Sequence, residues 1–369
     1  MLWPPAMNKP VTPRELRAAP AACWVAGLPQ AIDAVAAAAP TSHGFLRRQW
    51  FAAAIATYGG AAETLVVMQG DTPIAALPVV PMGPAPLRAV AVPGCYWPFR
   101  SFPAAHGAAP FDALVLALGQ RARALRIGPV YDGDPAFGGL LGAARARGWV
   151  ALSRDIARSY LLDIAAESAG GAWPRTSTLK KNRFHEKHLA SHGVPDWRFL
   201  DGAALATGGF DALAEVEEKS WIAERTDGRD AKFTARGHGA FWRGVTEDPA
   251  LAAMCHAALL TIDGAPAAFS FDLDCGTLKY AIANSYDPAF AKHSPGKLLY
   301  WRNLVEAKAR GIERVDWGAG DSGYKRVIGA APGPMIRDWL LLAPGPAALV
   351  GRIAGVLWRR SGQTAQAAA

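Results

Sequence analysis

The run from Leu278 to Lys325 concentrates the residue types that could do chemistry. It reads as a strand, a loop carrying Ser294-Pro295-Gly296-Lys297, a helix, a stop at Gly311, a second strand and a Gly-rich acidic turn ahead of Tyr324-Lys325. A glycine between a strand and a helix start lets backbone N–H groups close on an anion, and the helix dipole adds about half a positive charge there. Such a cradle suits a pyrophosphate, with Lys292 and Lys297 as flexible counter-charges. The plainer reading is an ordinary loop with a proline near a helix start. The helix that follows places Leu298, Trp301, Leu304 and Val305 on one face. Further on, Gly318, Gly320 and Gly323 let the backbone approach a ligand closely in front of Tyr324 and Lys325; otherwise the pair is a capping turn with an amphipathic surface.

A second group lies in EVEEKSW, Glu215 to Trp221. Leu213, Val216, Ser220 and Trp221 define an apolar helix face, so Glu217 rather than Glu218 turns inward; the alternative is a wholly solvated acidic face. A third is the basic helix LKKNRFHEKHLASHG, Leu179 to Gly193, with Lys180, Lys181, Arg183, Lys187, His185 and His188. It reads as a solvated basic helix, a contact for a phosphorylated cofactor, or a surface for an acidic glycan or a tRNA backbone. No aromatic RNA-binding strand accompanies it, so nucleic acid is not expected as a partner. The eight histidines form no HxxxH pair or Ser/His/Asp order, and the four cysteines no metal-ligand spacing. Neither a metal nor a nucleophilic triad is expected. Cys255 and Cys275 are expected to pack as small apolar residues rather than as a disulfide.

The elements that position these groups occur twice. Helix-like His43–Tyr58 precedes a hairpin whose strands, Glu63–Gln69 and Ile74–Val80, flank Gly70-Asp71-Thr72-Pro73; a helix around Ala240–Val245 precedes strands Met254–Ile262 and Ala267–Leu273 around Asp263-Gly264-Ala265-Pro266. The segments DTPIAA and GAPAAF lie about 190 residues apart, as do ARALRIGPVYDGD and AKARGIERVDWGAGD, a spacing that fits a duplicated domain. The copies are not chemically equal. Where the second has HSPGKLL, the first has VPGCYWPFRSFP, Val92 to Pro103, and its GDPAFGG turn lacks both Tyr and Lys. The anion site therefore belongs to the second copy.

Taken in order, the basic helix, EVEEKSW, the hairpin GAPAA, Tyr286-Asp287, PGKLL, Asp316-Trp317-Gly318 and Tyr324-Lys325 resemble acyltransferases of the GNAT superfamily. The closer likeness is to the branch with the CelD-type acetyltransferases of cellulose biosynthesis and the FemAB peptidyltransferases. The resemblance covers nearly all the chain after residue 40 and is most specific from Trp173 to Lys325. Ile222 stands where many relatives have Lys, and Ile328 where Trp is common. It implies an α/β (α+β) fold of two tandem GNAT-like domains, each a mixed central sheet flanked by helices. The expected division is an Ala/Pro-rich extension (1–40), a degenerate domain (41–168), a catalytic domain (169–345) and a C-terminal helix and tail (346–369).

The resemblance further implies acetyl-CoA or another acyl-CoA as donor, held by Ala281, Ile282 and Ala283 of the strand and by Lys292, Ser294, Pro295, Gly296, Lys297 and Leu298. By strand alternation Ile282 and Asn284 share one face, Ala281 and Ala283 the other. Trp221, Asn284, Tyr286, Asp316 and Asp321 would meet the acceptor, with Asn284 equally readable as a strand-end residue. Glu217 would take the acceptor's proton and Tyr324 protonate the departing thiolate. Lys325 would hold the acceptor, orient Asp316 or Asp321, or neutralise developing charge. The acceptor is an amine or hydroxyl, on a sugar or polysaccharide precursor by family likeness. An aminoacyl-tRNA-dependent FemAB-type transferase and a non-catalytic scaffold in polysaccharide assembly are the other readings.

Composition agrees with a globular chain: of 369 residues 51% are hydrophobic and 19% charged. A net charge of +8 and a pI near 9.4 suit an anionic partner or reflect an Arg-rich genome. With no leader-like N-terminus and no spanning apolar run, a cytoplasmic protein is expected. The segment Pro346–Arg360 reads as a short helix packed on its own domain, or as a peripheral membrane contact through Trp358, Arg359 and Arg360.

Overall fold

Turn chemistry sets the hairpins. Asp263 and Gly264 both take positive φ, 50° and 83°, as a two-residue type I′ turn requires. The computed structural model describes residues 19–360 apart from positions 172, 321, 322, 347, 350, 352–354 and 359 and the side chains of Glu224 and Arg225.

The first half runs β1 Ala21–Ala26, α1 Ala31–Ala38, α2 Arg48–Tyr58, β2 Glu63–Gln69, β3 Thr72–Pro81, β4 Ala89–Ala91, α3 Phe111–Arg121, β5 Ala124–Tyr131, α4 Pro135–Ala146 and β6 Val150–Asp163. After α5, Ile164–Ala169, the second half begins with α6 Thr176–Leu189, β7 Pro195–Leu200, α7 Gly202–Ala204, α8 Phe210–Lys219, α9 Trp221–Thr226, α10 Gly239–Val245 and α11 Pro249–Ala252. It closes with β8 Cys255–Ile262, β9 Ala265–Cys275, β10 Leu278–Tyr286, α12 Pro295–Ala309, β11 Arg314–Ala319, α13 Tyr324–Val327 and β12 Ala331–Leu342.

These strands form one mixed sheet in the order β1-β2-β3-β4-β5-β12-β6-β11-β10-β9-β8-β7. The order mirrors itself except at the centre, where the halves exchange their last strands: β12 pairs with β5 and β6 with β11. Each half therefore completes its sheet with a strand from the other. The core is shared as well, with Trp50 of α2 edge-on to Phe241 and Trp242 of α10. Residues 21–38, expected in an extension, supply β1, paired with β2, and α1, whose Ile32 and Val35 are fully buried. A run this rich in alanine has little polar contrast, so its periodicity is hard to read.

The parallel pairs carry the functional geometry. β10 and β11 pair only from Leu278↔Arg314 to Tyr280↔Asp316 and then diverge. At the fork β10 bulges, taking Ile282 out of its ladder with β9, and β11 shifts register against β6 between Asp316 and Ala319. The bulge overturns the expected alternation: Ala281 packs against one apolar cluster and Ala283 against the other. In the first half the chain itself fills the equivalent opening. Val92 N donates to Arg126 O at 3.0 Å, Arg100 N to Pro129 O at 2.8 Å, and Phe99 is buried edge-on to Tyr131 and Tyr280.

Helix α12 is held on two sides. Leu298 and Leu299 join the main core while Tyr300, Trp301 and Leu304 join a second cluster; Val305, expected on the same face, is exposed. Beneath it, Asn303 Nδ2 donates to Asp272 at 2.6 Å and to Ser270 Oγ at 3.0 Å, and Lys279 Nζ donates to Asp272 at 2.8 Å. At the C-terminus Trp358 lies over the Arg154 guanidinium, 4.4 Å from ring centroid to Cζ, so that ring faces the fold; Arg359 is outside the described residues. No described helix is long and apolar enough to cross a membrane.

Candidate active site

A cavity of about 640 Å³ opens at the β10–β11 fork, walled by both halves. Ala281, Ile282, Ala283 and Asn284 line it from β10 and Asp316 from β11, with Glu217 and Trp221 from α8 and α9. Tyr96, Trp97 and Tyr131 close it from the first half. Trp221 is not on a continuous helix with Leu213 and Val216. Ser220 takes an extended conformation and its hydroxyl caps the next helix, which swings Trp221 to the mouth with 49% of its surface exposed.

Three carboxyl residues line this space: Asp230, exposed in the loop after α9, and Glu217 and Asp316, buried in different settings. Glu217 is fully buried, and each of its oxygens accepts a backbone N–H: Oε1 from Lys232 at 2.9 Å and Oε2 from Phe233 at 2.7 Å. Burial raises its pKa while those N–H groups oppose the rise. The glutamate thus clasps the loop between α9 and α10. Asp316 sits at the last paired position before the fork, 5% exposed, with Oδ1 accepting Gly318 N at 2.7 Å. Burial pushes its pKa from 3.8 up to about 6, against the pull of the Gly318 N–H, the Tyr131 hydroxyl and the Lys325 charge. A carboxyl with that pKa, beside the divergence, is ionised at neutral pH and still basic enough to accept a proton.

The start of α12 gathers positive charge. Burial, then the nearby Lys181 ammonium, lowers the pKa of Lys297; burial, Lys181 and Lys297 lower that of His185. Among the described residues no carboxylate stands within ion-pair distance of Lys181 or Lys297. Helix α6 is fixed alongside by Arg302 Nη2–Glu186 Oε1 at 2.8 Å, and His192 Nε2 meets His293 Nε2 at 2.9 Å. Gly296 lies so close to β10 that a Cβ would come within 2.9 Å of Asn284 Oδ1 and 3.1 Å of the Tyr286 ring. Tyr286, Lys292, Ser294, Pro295, Gly296 and Lys297 all lie around this turn rather than on the cavity wall. Leu298 does not offer its side chain, which is in the core, and its N–H is taken by Ser294 O at 3.1 Å.

Residues 176–326 match the family model of the acetyltransferase (GNAT) domain. That segment, less than half of the chain, is a GNAT-like acyltransferase domain. Among solved structures, the crystal structure of FemX superposes with a TM-score of 0.58 at 12% identity, over 88% of this chain and 98% of that one. A protein of unknown function from Bacteroides thetaiotaomicron superposes at 0.51 and 9% identity, over 86% and 99%. At such identities these are likenesses of fold. A comparison with curated protein sequences gives no match.

Within the GNAT domain, Tyr324 and Lys325 stand across the sheet from the two buried carboxyl groups. Val315 and Trp317 turn to the second apolar cluster, so Asp316 between them turns to the opposite face. Tyr324 stacks on Tyr300 at 5.7 Å and meets Trp317 edge-on at 5.9 Å. Lys325 is buried, its Nζ donating to the carbonyls of Ala319 at 3.0 Å and Gly320 at 2.8 Å. It thereby ties the turn after β11 to α13. Asp321 is outside the described residues. Among the described residues no cluster of three or more His, Cys, Asp or Glu could hold a metal.

Sequence reading expects the first half to line the acceptor cleft but singles out neither Tyr96, Trp97 and Tyr131 on that wall nor Lys232. The signal is present in the aromatic run Tyr96-Trp97-Pro98, which in a comparison of the two copies stands out only as lacking a phosphate turn.

Proposed function

We propose that the GNAT domain transfers an acyl group from acyl-CoA directly to an amine or hydroxyl, without a covalent acyl-enzyme. The observation that carries this is the open fork, which joins an anion-seeking helix start on one side to a cavity with a basic carboxylate on the other. Acyl-CoA fits the helix start: the Lys181 and Lys297 ammonium groups beside the first turn of α12 would meet its phosphates, and the β10 bulge leaves Ile282 outside the ladder, where its backbone can polarise a carbonyl. When bound, the thioester supplies an activated acyl carbon. Asp316 removes the acceptor's proton, Tyr324 on the far side gives one to the leaving thiolate, Glu217 holds the cavity wall, and Lys325 holds the turn between them.

Calorimetry with acetyl-CoA tests the donor side. Lys181→Glu with Lys297→Glu should weaken binding more than about tenfold, since each 1.4 kcal/mol is a decade. Unchanged affinity in the folded double variant would place the donor elsewhere.

A second reading, an aminoacyl-tRNA donor, is favoured by the exposed row Lys180, Lys181, Arg183 and Lys187 on α6. Binding of tRNA to this row should fall steeply with salt because neutralised phosphates release counterions. Tight, salt-sensitive tRNA binding with no heat from acetyl-CoA would replace the first reading with the second.

A further inference from the structure

We propose that Tyr96, Trp97, Trp221 and Lys232, together with Asn284 and Ser285, form the acceptor subsite, and that it takes a sugar ring bearing an anionic group. The proposal rests on the acyltransferase reading of the same cavity and names the class of acceptor.

Three features of the wall converge on that chemistry. At the mouth, Tyr96 and Trp221 leave 45% and 49% of their surfaces exposed, and Trp97 stands half-buried behind them. Flat aromatic faces at a cavity entrance match the apolar C–H face of a pyranose. Deeper in, Asn284 Nδ2 and Ser285 Oγ have no hydrogen-bond partner among the described residues, although both line the cavity and Ser285 is only 1% exposed. Buried polar atoms of this kind call for a ligand that brings its own donors and acceptors, as ring hydroxyls do. The third feature is charge. Lys232 Nζ lies 3.8 Å from the Trp97 centroid and donates to Asp230 O at 3.0 Å, with no carboxylate in ion-pair distance among the described residues.

Sign selects among ligands that like aromatic walls. A quaternary ammonium would also suit the rings, but both already carry cations, Lys232 against Trp97 and Arg100 with its Cζ 4.4 Å from the Tyr96 centroid; of the lining carboxyl groups, Glu217 is taken up by backbone N–H groups, Asp316 sits at the fork, and Asp230 is exposed in the loop. A carboxylate or phosphate on the ring completes Lys232 instead. The wall comes from both halves: Tyr96 and Trp97 from the first, and Trp221, Asn284, Ser285 and the Lys232 loop clasped by Glu217 from the second.

Full-length protein is titrated with glucose, glucuronate and glucose 6-phosphate, and with inorganic phosphate and lactate as ringless anions, by calorimetry and saturation-transfer NMR. One or both anionic sugars should bind at least about tenfold more tightly than glucose and than either ringless anion, a hydrogen bond to a charged group being worth about that much. The carboxylate and phosphate arms tell the two anion sources apart. Lys232→Met, or Lys232→Gln if the first is unstable, should erase the preference and leave glucose unchanged, while Trp221→Ala should weaken all three sugars. Equal affinity for glucose and its anionic forms, ringless anions binding as well as the sugars, a preference that survives loss of Lys232, or no sugar binding at all would each overturn the proposal. Acetyl-CoA affinity, measured on the same variants, is expected to stay unchanged, so a failed acceptor subsite is distinguishable from a failed donor assignment.

Discussion

Asp316→Asn is expected to lower turnover by roughly 10²–10⁴-fold while leaving acetyl-CoA affinity within about twofold, because a positioned base acts only in the transition state. Thiol release from acetyl-CoA reads it, with the sugar acceptor or with water in its place. The pH profile adds a second readout. Burial holds the Asp316 carboxyl at about 6, so the base form grows as pH rises through that value, and kcat/KM should climb with an acid limb near it. In Asp316→Asn the limb disappears along with the rate. Glu217→Gln should behave differently, since both carboxylate oxygens already serve backbone N–H groups. The amide leaves one of those N–H groups facing another donor, at a cost of about 1–3 kcal/mol in stability, and raises the acceptor KM by loosening the loop that carries Lys232. If the acid limb vanishes in Glu217→Gln and persists in Asp316→Asn, the two carboxyl groups have exchanged roles.

Order along the chain made the duplicated fold legible, because hairpin turns and apolar runs recur at one spacing and local turn chemistry fixes each pair. The exchange of β6 and β12 was not legible: strand partners so far apart in the chain leave no mark in local periodicity. At the site, the sequence placed Glu217 inward and gathered Ala281–Ala283, Asn284, Trp221 and Asp316 in one neighbourhood, and the cavity holds all of them. The resemblance made Glu217 the base and Asp316 an acceptor contact, and local pattern carries nothing that weighs one against the other. Glu217 differs from Asp316 in where the surrounding N–H groups point, and those come from residues as distant as Phe233. Trp221 shows the limit of helical periodicity, since one extended residue at Ser220 moved it from an expected apolar face to an open rim. Lys232 carried no signal of its own; a lysine in a loop reads as solvated until its neighbours are known to be rings.

Lys279→Met is expected to destabilise the fold by about 3–5 kcal/mol, the cost of leaving a buried charge without its partner. Lys279 and Asp272 are each 1% exposed at the side chain and 2.8 Å apart; once the ammonium is gone, Asp272 retains Asn303 as its side-chain donor among the described residues, while Asp274, 3.4 Å from the same ammonium, keeps Arg310 at 2.9 Å. Urea unfolding measures the loss as a lower midpoint. The paired substitution Lys279→Met with Asp272→Met should recover most of it, since replacing both ions by apolar groups of similar volume is often neutral, and Asn303 still reaches Ser270. The consequence extends to the donor side. Asp272 holds Asn303 and hence α12 against β9 and β10, and the first turn of α12 carries Gly296 against Asn284 and Tyr286. The single variant should therefore also weaken acetyl-CoA binding at temperatures where it is still folded, and the paired variant should not. A single variant with an unchanged midpoint would mean that water or a shifted side chain compensates Asp272, and the pair would then have no part in holding the helix.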